Sequence, residues 1–242
     1  MFNTFSLELQ TIDKTMTKSI SQTFFDILKI RIDDRAKDWL DALLKKPFDE
    51  KTFPVAYAGA ARRFGRDVIE ASPEEIAALE SAIPFPSPFS WTRGELGRAA
   101  MLLWALENSP EARHIEIVED LYYKGDNAER RALLRTLPFL AQPKRFLPLA
   151  IDACRTNVVT VFEGIACENA FATMHFPESN FNQLVLKTLF LGLELERVFN
   201  WKKNNNEKLF RMADDYARER RFAGRSVPAG NQKIIEHFGR KK

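Results

Sequence analysis

The sequence predicts an all-α fold, an irregular α-α superhelix of stacked antiparallel helical hairpins. Three observations predict it. Apolar residues recur at three- and four-residue steps almost throughout, the period of a helix with one buried face. Capping chemistry stands in front of the apolar runs. From Thr92 onward the helix starts fall near 92, 109, 126, 143, 157 and 178, a step of about 17 residues, so a hairpin takes roughly 34 and can stack as a solenoid. No tetratricopeptide or ankyrin consensus is legible, so the repeat is one of structure alone.

The elements follow in order. Residues 1–15 are polar and weakly patterned, and Met16 opens a cleaner helical segment. Residues 1–16 therefore read as a disordered leader, or as sequence ahead of the true start. Ile20, Phe24, Ile27, Leu28, Ile32, Trp39, Leu40 and Leu43 predict one long helix, or two broken near Asp33-Asp34, ended by Pro47. A further helix follows Pro54 and stops near Gly65. Ser72-Pro73-Glu74-Glu75, Thr92-Arg93-Gly94-Glu95 and Asp126-Asn127-Ala128-Glu129 are capping boxes. Ser109, Asn157 and Asn206 are further N-caps. Gly125, Gly192 and Gly224 stand where a left-handed residue closes a helix. Proline at alternate positions between Pro84 and Trp91 cannot be helix interior. This divides the chain into an N-terminal helical subdomain (17–83), a Pro/Phe-rich connector (84–91) and a C-terminal helical-repeat-like region (92–242).

Composition excludes several classes of function. The 242 residues suit one large domain or two closely packed ones, and 45% hydrophobic content with 20 phenylalanines supplies a core without disulfide or metal. A net charge of +3 is too mild for a nucleic-acid partner. The paired basics (Lys45-Lys46, Arg62-Arg63, Arg130-Arg131, Lys202-Lys203, Arg220-Arg221) are scattered and read as solvated helix faces. Cys154 and Cys167 lack metal or redox spacing and read as core thiols. No apolar run reaches the roughly 18 residues of a membrane span, and no signal peptide is legible. A soluble, cytoplasmic protein is expected.

No catalytic motif survives inspection. Glu111-x-x-His114 has di-iron spacing, but such a site needs a second copy and two more glutamates. There is no zinc-protease helix, nucleophile elbow, phosphate loop or dinucleotide fingerprint. Neither metal nor cofactor is expected. A Cys167–His175 pairing is weaker than the reading of Cys167 as a core thiol. In the helix from Lys208 to Arg221, Arg211–Asp215 and Asp214–Arg218 read as surface pairs, with Tyr216 and Phe222 packing inward.

The informative segment runs from Cys154 to Gly192. Arg155-Thr156-Asn157 sits in a turn between two apolar helices, the second carrying Glu163 and ending in Glu168-Asn169. The next helix, Asn180 to Leu191, is apolar nearly all round, except that Asn180, Gln183 and Lys187 fall at i, i+3 and i+7 on one narrow stripe. Such a stripe faces water, a groove or a neighbouring helix, and Glu163 needs a partner of its own. Two readings follow. One is a structural ion-pair network joining Glu163 or Glu168 to Arg155 or Lys187. The other is a groove whose polar groups orient a ligand against Phe162, Phe171, Phe176, Phe181 and Phe190.

Several stretches here resemble the EboA family. They are Gly-Asp-Asn-Ala-Glu-Arg-Arg-Ala-Leu-Leu-Arg-Thr-Leu-Pro (125–138), Arg-Phe-Leu-Pro-Leu-Ala (145–150), Ala-Cys-Arg-Thr-Asn (153–157) and Phe-Glu-Gly-Ile-Ala-Cys-Glu-Asn (162–169). His-Phe-Pro-Glu (175–178), Phe-Asn-Gln-Leu-Val-Leu-Lys (181–187) and Asp-Tyr-Ala-Arg-Glu-Arg-Arg-Phe-Ala-Gly-Arg (215–225) continue it in order. The resemblance implies a place in a bacterial and algal gene cluster for metabolite traffic, tied in cyanobacteria to moving a sunscreen precursor to the periplasm. Partners implied are a small-molecule metabolite and cluster proteins: a UbiA-like prenyltransferase, a TatD-like hydrolase and an isomerase-like barrel. Arg155, Asn157, Glu163, Glu168, Asn169, Asn182, Gln183 and Lys187 match polar parts of the family's motifs. Where the family has proline-tyrosine after Glu-Asn, this chain has Ala170-Phe171, so that hydroxyl is missing.

The expected function is a non-enzymatic helical scaffold or small-molecule carrier in secondary-metabolite processing or export. The alternative is an enzyme whose groove lies within residues 155–191, with Lys187 or Glu163 as acid or base.

Overall fold

Thirteen α-helices and four short 3-10 turns make up the described residues, and the sole β pairing among them is an isolated bridge between Val68 and Thr92. The computed structural model describes residues 19–81 and 90–239. The expected leader, the connector as far as residue 89 and the final three residues lie outside the described residues.

The first break falls where the sequence placed it. Helix α1 spans Ile20–Lys29 and α2 spans Asp34–Leu44, with the Asp33 carboxylate accepting from the Ala36 N–H as N-cap. Helix α3 (Phe53–Phe64) ends at Gly65, whose φ of 93° no other residue adopts easily. Helix α4 (Pro73–Glu80) and helix α5 (Arg93–Glu107) both open with complete capping boxes, Ser72/Glu75 and Thr92/Glu95. Helices α6 (His114–Lys124), α7 (Asn127–Thr136) and α8 (Leu147–Ala153) follow. Then come α9 (Val159–Ala166), α10 (Ala170–His175), α11 (Glu178–Phe190), α12 (Glu207–Phe222) and α13 (Ala229–Gly239).

Helix α5 is the hub. It is buried on nearly every side, with α1, α3 and α7 packed against it. Gly97 lets this happen, because a Cβ there would stand 2.2 Å from the Phe64 ring. From α7 the packing passes to α9, then α11, α12 and α13, with α6 lying on α7 and α8 on α9. One apolar cluster runs from Phe24 to Phe171, and a second joins Phe162 and Leu184 to Trp201, Leu209 and Ile234.

The seam between α5 and α7 is charged although buried. Glu95 caps α5 and also receives Arg131 at 3.1 Å and Arg135 at 3.3 Å. Arg135 donates further to the Ser90 carbonyl and hydroxyl, and its guanidinium lies 4.7 Å from the centre of the Trp91 ring. Burial pulls the Arg135 pKa down, while Glu95 pulls it back up.

Several local expectations are corrected. Ser109 caps no α-helix: Pro110 is extended (ψ 135°), and a 3-10 turn (Glu111–Arg113) precedes α6. Val158, not Asn157, is the N-cap of α9, and the Thr156 hydroxyl accepts from the Val158 N–H instead. Gly125 is extended (φ −72°), whereas Gly192 and Gly224 are left-handed. Arg211 pairs with Glu207 rather than Asp215, and Phe222 is 97% exposed. Phe222 is the last residue of α12, where no further helix covers it.

Candidate functional site

The polar stripe of α11 meets the end of α8. Helix α8 stops at Ala153, and the turn that follows leaves carbonyls without helical partners. Lys187 fills them. Its Nζ donates to the Cys154 and Thr156 carbonyls, each at 2.7 Å, and lies 5.1 Å from the centre of the Phe162 ring. A cation at a helix C-terminus also opposes the helix dipole favourably. Lys187 therefore staples α11 to α8 without any carboxylate.

Beside that staple is a cavity of about 180 Å³. Asn180, Gln183 and Lys187 line it from α11, and Arg155 lines it from the turn. Leu184 and Phe176 supply apolar wall, with Ile151 and Cys154 from the α8 side. Arg155 is 78% exposed and reaches Asp152 at 3.5 Å. The Cys154 thiol is pushed up to about 12 by burial, with Lys187 opposing, and its Sγ donates to the Ala150 carbonyl. It is a neutral thiol at pH 7 and a poor nucleophile.

The other expected residues stand elsewhere. Asn157 is exposed in the turn. Glu163 and Glu168 pair with Arg197, which neither reading of the sequence had named. Arg197 Nη1 donates to Glu163 at 2.6 Å, and Nε and Nη2 donate to the two Glu168 oxygens at 2.8 and 3.0 Å. The hydrogen bonds it donates to Glu168, and then to Glu163, hold the guanidinium pKa above its usual value despite some burial. The clasp needs an unusual backbone: Glu168 is left-handed (φ 46°), and its N–H donates to the Arg197 carbonyl at 2.8 Å. A network does exist, then, but its cation comes from beyond the segment read.

Asn169 and Asn182 are buried connectors. Asn169 caps α10 through its oxygen and donates to the Leu134 and Gly164 carbonyls, tying α9 and α10 to α7. Asn182 exchanges two amide hydrogen bonds with Asn206, which also caps α12. Of the aromatic walls, Phe176 alone lines the cavity; Phe162, Phe171 and Phe181 are buried in the cores, and Phe190 is 72% exposed at the end of α11.

The remaining candidate chemistry is structural. Glu111 receives Gln142 and Arg145, and the His114 ring contacts the Ser109 carbonyl. Among the described residues no three His, Cys, Asp or Glu side chains converge as a metal site. The Cys167 thiol is pushed up to about 12 by burial, and the His175 ring packs edge-on to Phe171. Among the described residues no helix is long and apolar enough to cross a membrane.

In a comparison with protein families, the family described as "Metabolite traffic protein EboA" matches residues 20–236. That span reaches α1, well upstream of the motifs that carried the resemblance. No curated protein matches the chain, and no solved structure matches it.

Proposed function

The chain belongs to the EboA family of metabolite traffic proteins, and we propose that within this traffic it is a non-enzymatic carrier of a small anionic metabolite. The carrying observation is the convergence of Arg155, Asn180, Gln183 and Lys187 on one cavity. The lining brings two cations and two amides together with Phe176 and Leu184, and it contains no carboxylate. This is the chemistry that receives a carboxylate or phosphate at one end and an apolar group at the other. A volume of about 180 Å³, below the usual range of drug-sized sites, limits the cargo to a small molecule.

A carrier is favoured over an enzyme by what these side chains are already doing. Lys187 commits two donors to backbone carbonyls, Cys154 is held as a thiol, and Glu163 is clasped by Arg197. A scaffold for cluster proteins is the second reading, and it rests on Phe222 and Phe190, large aromatic side chains left in solvent at 97% and 72% exposure.

Native mass spectrometry of the full chain, co-expressed with its gene-cluster neighbours, tests both. A small-molecule adduct on the wild type that is absent from an Arg155→Ala/Asn180→Ala/Gln183→Ala variant supports the carrier. An adduct that survives the triple variant overturns the site. A stoichiometric protein complex with no adduct supports the scaffold instead.

A further inference from the structure

A second concave surface lies between α2 and α3, far larger than the first at about 920 Å³. Its floor is made of small and apolar side chains: Ala36, Ala42 and Leu43 from α2, Ala56 and Gly59 from α3. Trp39 forms one wall, its ring 5.7 Å from that of Phe64. The cations gather at the ends. Arg35, Arg62 and Arg63 stand where α2 begins and α3 finishes, and Lys46 and Lys51 stand where α2 finishes and α3 begins. Asp33 is the one carboxylate in the lining, and it is occupied as the N-cap of α2.

These cations differ from several others on the surface. Lys29, Lys37, Lys124, Arg113, Arg145 and Arg218 each hold a carboxylate. Among the described residues, Arg35, Arg62, Arg63, Lys46 and Lys51 make no ion pair, and Arg63 instead lies over Trp39 at 4.5 Å. In sequence Lys46, Arg62 and Arg63 look like solvated helix faces, and the fold places them with Arg35 and Lys51 around one trough.

Gly59 adds to the openness of the trough. Glycine inside a helix is destabilising relative to alanine. At Gly97 close packing explains it, but a Cβ on Gly59 would meet nothing within 4 Å. Packing does not require glycine there. What glycine does is keep the middle of the trough open.

We propose that the α2–α3 trough binds an elongated small molecule with an apolar body and an anionic group at each end, held by Arg35 and Arg62 at one end and Lys46 and Lys51 at the other. An 11-residue α2 rises about 16 Å, which sets the order of the separation between the two charged groups. The apolar middle accepts a chain or flat ring system along Ala36, Leu43, Ala56 and Gly59, beside a Trp39 ring that Arg63 partly covers. This site is separate from the α8–α11 cavity and does not depend on it.

The test is isothermal titration of the full chain at low ionic strength with dodecanedioate, hexanedioate and dodecanoate as probes. Dodecanedioate is expected to bind most tightly, and to weaken as salt rises. Gly59→Leu fills the trough and is expected to abolish binding, while the melting temperature holds or rises because leucine is the better helix former. Arg35→Glu/Arg62→Glu and Lys46→Glu/Lys51→Glu are each expected to weaken dodecanedioate by about tenfold, the result of reversing two solvated contacts. Equal affinity for the mono- and dianion, or unchanged binding by Gly59→Leu, would overturn the proposal. So would a loss of binding in Arg155→Ala/Gln183→Ala with the trough variants unaffected, because the probe would then sit in the other cavity.

Discussion

The α5–α7 seam and the α2–α3 trough use the same side chains for opposite purposes. In the seam, Arg135 is buried, hydrogen-bonded to Ser90, stacked on Trp91 and paired with Glu95. In the trough, Arg35 and Arg62 are exposed and without an ion-pair partner among the described residues. A buried cation must be paired because desolvation is too costly otherwise, so the fold uses up its binding capacity. A cation on a concave surface keeps its hydration and remains available. The distinction between structural and functional charge in this chain is therefore one of burial and partners, not of residue type.

The largest effect that would break the comparison is at Arg135. Arg135→Met leaves Glu95 buried with a weaker set of donors and is expected to cost about 3 kcal/mol, measured by urea denaturation. Arg62→Met in the same assay is expected to stay within about 0.5 kcal/mol. Similar losses at both positions would erase the distinction.

Lys187 sharpens it, because it belongs to both categories: it lines a cavity and it also staples α8. Lys187→Met is expected to cost about 1–2 kcal/mol, the worth of two charge-assisted bonds to half-buried carbonyls. Thermal unfolding checks this, and a neutral result would mean that the two carbonyls are satisfied by water instead.

The Arg31–Glu75 pair is the intermediate case, with side chains 21% and 17% exposed. The Arg31 hydrogen bond holds the Glu75 carboxyl below the ordinary glutamate value of 4.5. A carboxyl depressed by folding contributes stability above its unfolded pKa and loses that contribution as pH falls through its folded pKa. Melting temperatures measured from about pH 6 down to about pH 3 are expected to fall more steeply for the wild type than for Glu75→Gln. Parallel curves would place Glu75 with the solvated charges.

Much of the fold was legible because its signals are local. The Ser72 and Thr92 capping boxes, the Asp33 break and the Gly192 and Gly224 closures depend on neighbours within one turn, which the sequence displays directly. The stripe Asn180–Gln183–Lys187 was legible for the same reason. What escaped depends on distant partners. Arg197 lies 34 positions from Glu163, so no spacing rule joins them. Asn169 and Asn182 look like site residues in sequence because buried amides and ligand-binding amides are the same residues, and their distant partners, Leu134 and Asn206, decide between the two. The trough was missed because Lys46 and Arg62-Arg63 look solvated and Arg35 and Lys51 stand alone in sequence, and only the shared lining of α2 and α3 brings them together.

The Arg197 clasp carries a consequence for motion. By joining Arg197 to Glu163 and Glu168 it closes a loop that contains all of α10 and α11, and with them the whole polar stripe. A segment pinned at its two ends in this way opens and closes as a unit rather than fraying residue by residue. The helix that carries the stripe is thus held at three separate places, by the clasp at the base of the loop, by Lys187 on the carbonyls after α8 and by Asn182 on Asn206, so its release requires all three to part.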